Sequence, residues 1–371
     1  MTEDVSTPAG GLAEGNSTFG ALPVMAVTAT LLAMSVLTFL FAPGYALPVV
    51  GAFALTVGFG WVTHQAAMAK LLAVTATVLT VLTVGFITYF LFVSALPAFL
   101  EHGSGLLVVP VVDGEPRWFF FLEHLLPTAE STWNPAADVY SLVPTIWATV
   151  VVTVVAGLVA APLGLFGALF VAEVAGERLR AVMKPGIEVL AGIPSIVYGF
   201  IGFQVLNGFI QRSFLDDGAS FLIAGVVVGF MALPTVVSVG EDALSSVPDA
   251  MRDGSAAVGA TRWQTMRSIS VPAAFSGISA AIILGLGRAI GETMAVAAIM
   301  AAGVGLSNPL FDVFDASATL TSLIATQYGS ASESTLDVLF VAGVVLFVVV
   351  AGMSVVSNLV ERRMREKLRG D

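Results

Sequence analysis

Long apolar runs dominate the chain, and turn residues or charged residues separate them. The hydrocarbon core of a bilayer is about 30 Å thick, and an α-helix crosses it with roughly 20 apolar residues. Apolar runs of this length, separated by polar segments, predict membrane-spanning helices. The runs cover residues 21–42, 46–62, 71–98, 143–161, 187–210, 221–239, 274–303 and 336–360.

The composition supports lipid as the solvent for most of the chain. Hydrophobic residues make up 57% of the 371 positions and charged residues 11%, and the mean hydropathy is +0.94. Too few charges remain to cover a water-soluble globule of this length. The first 20 residues are acidic and small, whereas a secretory signal peptide begins with a basic segment. We therefore expect an all-α polytopic membrane protein that retains its first apolar run.

The first two apolar runs contain no charged residue. A Pro43-Gly44 turn joins them, and the short link 64–70 leads to the next run. The sequence predicts an appended N-terminal unit, residues 1–66, made of a tail and a two-helix hairpin. A six-helix core, residues 67–371, follows, giving about eight spans in total.

The distribution of positive residues predicts the orientation of the chain in the cell membrane. Lys and Arg accumulate on the cytoplasmic side of membrane proteins. With eight crossings and the N-terminus inside, most of the 15 Lys and Arg residues are cytoplasmic. These are Lys70, Arg178, Arg180, Lys184, Arg252, Arg262, Arg267, Arg362, Arg363, Arg365, Lys367 and Arg369. Both termini are therefore expected to face the cytoplasm.

Charge and residue usage also exclude several classes of site. The net charge of -11 argues against nucleic acid as a partner, because such binding requires cations that neutralise phosphates. The chain has no cysteine, which excludes disulfides and thiolate metal sites. Its three histidines, His64, His102 and His124, lack metal-ligand spacing, and we interpret them as solvated loop residues. We expect no metal and no cofactor on this chain.

A polar stretch, residues 240–272, carries the signals of two short helices joined by a tight turn. Pro248 stands where a helix begins, and Gly259 where a left-handed residue would end it. Thr261 and Gln264 have the spacing of a capping box, and Pro272 is expected to terminate the second helix. The stretch is predicted to be a cytoplasmic helix-turn-helix.

The second of these helices is predicted to expose an apolar knob with a basic rim. Trp263 and Met266 are three residues apart, and Arg262 and Arg267 flank them. Such a surface suits docking into the groove of a partner protein. An alternative is that Trp263 anchors the loop at the lipid headgroups, where Trp is common.

The loop resembles the Glu-Ala-Ala motif of ABC-importer permeases. The motif is an acidic residue, two small residues, three variable positions, Gly, nine variable positions, Ile, one variable position and Leu-Pro. The matching positions are Asp253-Gly254-Ser255, Gly259, Ile269 and Val271-Pro272, with Asp for Glu, Gly and Ser for the two Ala, and Val for Leu. In that family the element inserts into a cleft of a separate ATPase subunit. The resemblance assigns Asp253, Gly259, Arg262 and Trp263 to the ATPase interface, and Met266 is predicted to join them as part of the apolar knob.

Two ionisable residues lie within the seventh apolar run, where charges are costly and mark function by default. Arg288 and Glu292 are four residues apart, which on one continuous helix predicts an intrahelical ion pair. Gly287 and Gly291 form a G-x-x-x-G pair that permits close helix packing, so we expect Arg288 to be interior. A guanidinium matches the geometry of a phosphate-like oxyanion. The alternative is a permanent ion pair that stabilises helix packing.

The segment 288–296, Arg-Ala-Ile-Gly-Glu-Thr-Met-Ala-Val, looks like the phosphate-specific branch of these permeases, the PstC type. Further similarity lies in Trp133-Asn134-Pro135, in the segment 192–199 and in Leu233-Pro234-Thr235. The resemblance covers about residues 71–371. It implies a six-helix type I permease with Arg288, Glu292 and Thr293 on the translocation path of inorganic phosphate.

The same resemblance implies the partners. They are a second permease of the PstA type, an ATPase dimer of the PstB type and an extracytoplasmic phosphate-binding protein of the PstS type. The chain has no Gly-Lys dipeptide and therefore no P-loop, so ATP and Mg are expected on the partner ATPase.

Three other functions remain as alternatives. An ABC permease for sulfate, molybdate or tungstate would have a similar polar loop. A membrane-embedded enzyme would need a constellation such as H-E-x-x-H or paired aspartates in spans, and the sequence has neither. A secondary transporter predicts an internal repeat and broken helices, and we find no convincing repeat.

Overall fold

The computed structural model describes residues 11–107, 133–137, 139–213, 219–300, 303–307 and 309–369. Within these residues the regular structure is helical, and the only extended pairing is one isolated bridge between Asn134 and Val139. The predicted all-α class is confirmed. The chain divides into two compact units, residues 1–90 and 91–371.

The first unit contains the predicted hairpin. Helix α1 (Gly11–Phe41) and helix α2 (Ala46–Thr63) pack together, and a short turn at Pro43–Tyr45 joins them. Pro43 starts the turn because its fixed φ suits the first helical position and its missing N–H needs no partner there. Helix α3 (Gln65–His102) follows after His64, and its residues 91–102 belong to the second unit. The domain boundary at residues 66 and 67 stays a prediction.

The second unit contains the rest of the described helices. They are α4 (Val143–Leu169), α5 (Glu177–Gly192), α6 (Ser195–Ile201), α7 (Gly208–Ser213), α8 (Phe221–Ser245), α9 (Asp249–Ala257), α10 (Arg262–Thr265), α11 (Val271–Ala273), α12 (Phe275–Ile290), α13 (Met294–Met300), α14 (Leu320–Gln327) and α15 (Glu333–Arg369). Wide π-type turns at Phe170–Val174, Gly202–Asn207 and Met266–Ser270 continue three of these helices.

Helices α4 and α8 form the most extensive helix pair of the second unit. Glycines allow their backbones to approach closely, as in other membrane helix pairs. A Cβ atom at Gly164 would lie 2.5 Å from Cγ1 of Val236, and one at Gly225 would lie 2.5 Å from Cβ of Val155. Side-chain volume at either glycine would therefore push the two helices apart.

Among the described residues, six helices are long and apolar enough to cross a bilayer, or eight if each of two bent pairs is one crossing. The upper number agrees with the eight predicted spans. Several helices extend beyond the predicted apolar runs: α1 begins at Gly11, α3 begins at Gln65, α4 ends at Leu169, α8 ends at Ser245 and α15 reaches Arg369.

The prediction of one continuous helix over residues 187–210 is wrong. Helices α5 and α6 meet at an 84° bend. Ile193, between them, has φ -66° and ψ 127°, which is extended rather than helical. The cause is Pro194, because the ring of a proline disfavours helical geometry in the residue before it.

The prediction of one continuous helix over residues 274–303 is also wrong. Helix α12 ends at Ile290 and α13 begins at Met294. At the break, Oε1 of Glu292 accepts a hydrogen bond from the backbone N–H of Ala295, at 3.2 Å. A side chain that satisfies a free N–H in this way is typical of a new helix start. A second bend, of 74°, separates Arg262–Ala273 from α12.

Candidate functional site

The polar loop between α8 and α12 has the predicted helix-turn-helix structure. Helix α9 follows Pro248, and Gly259 has φ +82°, the left-handed conformation that favours glycine. The capping box is present: Gln264 N–H donates to Thr261 Oγ1 at 3.4 Å, and Thr261 N–H donates to Gln264 Oε1 at 2.8 Å. The two hydroxyls of Ser255 and Thr265 lie 2.7 Å apart and join the two short helices. The predicted secondary structure of this loop is confirmed, except that α11 continues through Pro272 to Ala273.

The tip of this loop presents four of the five predicted interface residues to the surface. Asp253, Gly259 and Arg262 are exposed, and the side chain of Trp263 is 59% exposed. Val258, a residue to which the sequence analysis gave no role, is 85% exposed beside them. We call Asp253, Val258, Gly259, Arg262 and Trp263 the loop surface.

Met266 does not belong to the loop surface, and the prediction that it shares an exposed knob with Trp263 is wrong. It is partly buried and packs against a core cluster that includes Leu244, Val247 and Ala274. Met266 also begins the wide turn Met266–Ser270, where the regular spacing of α10 ends. Its apolar side chain therefore faces the membrane helices.

Arg288 lies in the last turn of α12 and is exposed. Its Nη1 donates a hydrogen bond to Oγ1 of Thr235 on α8, at 3.4 Å. The guanidinium opens into a groove with a volume of about 620 Å³. The groove is lined by Thr235, Ala280, Ile283, Leu284, Gly287, Arg288, Val350 and Ser354.

The predicted intrahelical ion pair between Arg288 and Glu292 is not formed. The described residues contain no salt bridge between them, and the break after Ile290 is the reason, because the two residues no longer lie on one helix. The carboxylate of Glu292 instead caps α13. The backbone oxygen of Glu292 accepts a hydrogen bond from Thr321 Oγ1 at 2.9 Å. Thr293 Oγ1 donates to the carbonyl of Gly291 at 3.2 Å.

On this chain Arg288 is exposed, and the close helix contact predicted at Gly287 and Gly291 is not formed. A Cβ atom at Gly287 would have no heavy-atom neighbour within 4 Å, and one at Gly291 would meet only its own chain, at 3.7 Å or more. At Gly285 it would lie 2.5 Å from Cγ2 of Val236. Gly285, not the Gly287 and Gly291 pair, is therefore where α12 packs on α8.

The structure thus brings Arg288 together with Thr235 and separates it from Glu292 and Thr293. The sequence points to Thr235 only through the Leu233-Pro234-Thr235 similarity, which predicts no role for its side chain. Its position directly after a proline in a predicted span was the available signal, but the sequence does not reveal that it faces Arg288.

The structure also describes two of the three histidines. His64 Nδ1 lies 2.9 Å from Thr63 Oγ1, and the ring of His102 packs edge-on against Tyr140. His124 lies outside the described residues. Within the described part of the chain, no group of three His, Asp or Glu residues is placed to hold a metal ion.

Comparison with known proteins identifies the family of this fold. Residues 160–366 match the family described as binding-protein-dependent transport system inner membrane component. The probable ABC transporter permease protein YqgH of Bacillus subtilis strain 168 is 41% identical over 259 residues, which cover 67% of this chain and 77% of YqgH. The phosphate transport system permease protein PstC of Xylella fastidiosa strain Temecula1 is 34% identical over 255 residues, which cover 63% of this chain and 78% of that protein.

A solved structure supports the same fold. A chain from the crystal structure of a bacterial alginate ABC transporter, in complex with an alginate pentasaccharide-bound periplasmic protein, is similar with a TM-score of 0.51 at 15% identity. The likeness covers 82% of this chain and 97% of that one. The helical architecture and the matched segment lead to one conclusion: this multi-pass membrane protein belongs to the family of binding-protein-dependent transport system inner membrane components, and it has the fold of ABC importer permeases.

Proposed function

We propose that this chain is the permease subunit of an ATP-driven importer of inorganic phosphate. The observation that carries the proposal is Arg288, an arginine on a membrane helix whose guanidinium opens into a groove beside Thr235. The similarity of the chain to PstC of Xylella fastidiosa supports phosphate as the substrate.

The chemistry of the groove suits a tetrahedral oxyanion. A guanidinium presents paired N–H donors that match two phosphate oxygens, and it stays charged throughout a transport cycle. The hydroxyl of Thr235, 3.4 Å from Nη1 of Arg288, can donate a further hydrogen bond to a bound anion. Apolar residues such as Ile283 and Leu284 line the groove beside the guanidinium.

Glu292 and Thr293 have a different place in the proposal. They lie at the break between α12 and α13. There the side chain of Glu292 accepts a hydrogen bond from the backbone of Ala295, and that of Thr293 donates one to the backbone of Gly291. A non-helical break inside a membrane segment is tolerated where it is buried in protein or lines a cavity. We propose that this break gives the end of α12 the freedom to move as the path opens on one side and then on the other.

We propose that the loop surface docks on a separate ATPase subunit. An exposed tryptophan beside an exposed valine is expensive to leave in water, and Arg262 and Asp253 supply charges around it. In this scheme ATP and Mg stay on the ATPase, this chain has no catalytic role, and closure of the ATPase dimer moves the loop. The PstB-type ATPase, the PstA-type second permease and the PstS-type binding protein are the partners that the proposal names.

The groove also explains the need for a second permease. Arg288 is exposed on this chain, and a charge facing lipid is costly. A second membrane subunit that covers the groove would complete a closed path around the guanidinium. The proposed location is the cell membrane, with both termini in the cytoplasm.

The test is uptake of radioactive phosphate into proteoliposomes that contain this chain with its ATPase, second permease and binding protein. We expect ATP-dependent uptake that unlabelled phosphate suppresses and that sulfate and molybdate do not. Transport of sulfate or molybdate with no phosphate uptake would keep the importer fold and overturn the substrate. Uptake without ATP would overturn the importer mechanism.

A further inference from the structure

Arg252 joins the loop to the membrane helices in a way that neither the motif nor the family match assigns. It lies on α9, the first helix of the loop, and its side chain is only 21% exposed. Its guanidinium makes four hydrogen bonds. Nε donates to Glu173 Oε1 at 3.2 Å, Nη1 donates to the Val247 carbonyl at 3.1 Å and to Asp249 Oδ1 at 3.0 Å, and Nη2 donates to the Leu244 carbonyl at 2.6 Å.

These contacts connect three segments of the chain. Leu244 lies in the last turn of α8 and Val247 just beyond it, so Arg252 caps carbonyls that the end of that helix leaves free. Glu173 lies in the wide turn that continues α4, and its side chain is only 12% exposed. One planar guanidinium therefore bonds α9, α8 and the end of α4 simultaneously, which a lysine could not do with the same geometry.

Asp249 contributes less to this arrangement than Glu173. Its side chain is 89% exposed, and exposed ion pairs are worth little because solvent screens them. The pair between Arg252 and Glu173 is shielded on both sides, and breaking a buried charge pair leaves the remaining charge without compensation. Glu173 is therefore the partner that holds Arg252 against the membrane helices.

A second ion pair supports the same end of α8. Lys184 Nζ on α5 lies 2.8 Å from Oε2 of Glu241, whose side chain is 5% exposed, and Ser245 Oγ donates to the other carboxylate oxygen at 3.0 Å. This pair fixes α5 to α8 but does not reach the loop. It holds the end of α8 in place while Arg252 connects that end to α9.

We propose that the pair of Arg252 and Glu173 is a positioning device that transmits displacement of α9 to α4 and α8, so that the energy of the ATPase reaches the transport path. The inference rests on the proposed function, because it presupposes a partner that displaces the loop. Arg252 lies on the inner side of α9 and takes no part in the loop surface. Its role is mechanical: rigid hydrogen-bonded elements carry coupling between distant sites, and Arg252 adds a direct polar link from α9 to the end of α4, beside the packing of α4 on α8.

The test measures coupling in the complete transporter, reconstituted with its ATPase, second permease and binding protein. The variants are Arg252→Gln and Glu173→Ala, with Arg178→Gln as the control, since Arg178 is an exposed arginine on α5 outside the pair. We measure ATP hydrolysed per anion imported, and the stimulation of ATP hydrolysis by loaded binding protein. We expect both variants to hydrolyse about tenfold more ATP per anion, with ATPase still bound to the complex, and the control to match wild type.

The outcomes separate this inference from the proposed function. The wild-type transporter identifies the transported anion, and the coupling ratio is measured with that anion whichever it is. A wild-type ratio in Glu173→Ala overturns the proposal, including when Arg252→Gln fails to assemble. A raised ratio in Glu173→Ala supports it, because a merely destabilised complex would lose hydrolysis and uptake together and keep their ratio.

Discussion

Arg288 is the residue whose chemistry depends most on where the chain places it. The sequence predicts a charged position within a span, and the structure gives that charge a hydroxyl partner on α8 and an open groove. Its predicted partner, Glu292, turns away because the helix ends at Ile290. The anion contact that we propose for Arg288 therefore does not require a neighbouring carboxylate to be displaced first.

At the residue scale we predict that Arg288→Gln strongly reduces phosphate uptake and leaves the complex assembled. Hydrogen bonds to a charged group are worth about 1.5–3 kcal/mol, so loss of the guanidinium should weaken anion binding by about 10- to 150-fold. Arg288→Lys keeps the charge but loses the paired donors, and we expect an intermediate effect. Uptake kinetics over a range of phosphate concentrations measure both variants.

The matched control for this experiment is Arg212→Gln, which removes an exposed arginine from α7, away from the groove. We expect uptake by this variant to equal that of wild type. Normal phosphate uptake by Arg288→Gln, with normal amounts of complex in the membrane, would overturn the proposal that Arg288 contacts the anion.

At the scale of elements, local signals predicted the loop between α8 and α12 well and the membrane helices less well. A capping box and a left-handed glycine depend on neighbouring residues, so the sequence alone located α9, Gly259 and Thr261 correctly. An apolar run reports only that a segment is buried or in lipid. It does not indicate a bend, so run length alone does not predict the breaks after Gly192 and Ile290.

The packing of α4 on α8 leads to a prediction about stability. In Gly164→Ala the new Cβ atom would lie 2.5 Å from Cγ1 of Val236, so the helices must separate. Overpacking of this kind costs about 1–3 kcal/mol, more than the gain of up to about 1 kcal/mol in helix propensity. We expect the variant in detergent to have a lower melting temperature than wild type, as measured by fluorescence-detected size-exclusion chromatography after heating.

Gly186→Ala is the control, because a Cβ atom on Gly186, within α5, would have no heavy-atom neighbour within 4 Å. This variant should melt at or above the wild-type temperature. The double variant Gly164→Ala with Val236→Ala should recover part of the loss, since it makes room for the new methyl group. Equal melting temperatures for Gly164→Ala and wild type would contradict the tight contact.

At the scale of the whole molecule, the predicted orientation leads to a test that the lack of cysteine makes simple. We expect Ser268→Cys, in the polar loop, to react with a membrane-impermeant maleimide only after the cells are permeabilised. Ser330→Cys, after α14 on the predicted external side, should react in intact cells. Both serines are exposed, so accessibility to water does not distinguish them. The reverse labelling pattern would invert the topology and place the loop surface outside the cell.

The sequence by itself determined the properties that depend on composition and on neighbouring residues. Mean hydropathy and run length predicted an all-α membrane protein of about eight spans, and turn residues predicted the helix-turn-helix of the polar loop. These features are decided by free energies of transfer and by hydrogen bonds within a few residues. They can be deduced without knowledge of the tertiary structure.

Only the tertiary structure decided which side chains meet. Arg288 bonds to Thr235, which is 53 residues away in the sequence, and Arg252 bonds to Glu173, which is 79 residues away. Pairs so distant in the chain form because the helices that carry them pack together, and that packing depends on where glycines such as Gly164 and Gly285 allow close approach. A sequence pattern describes one helix at a time. It therefore predicts that Arg288 lies within a membrane helix, but it does not predict which residue of another helix Arg288 contacts.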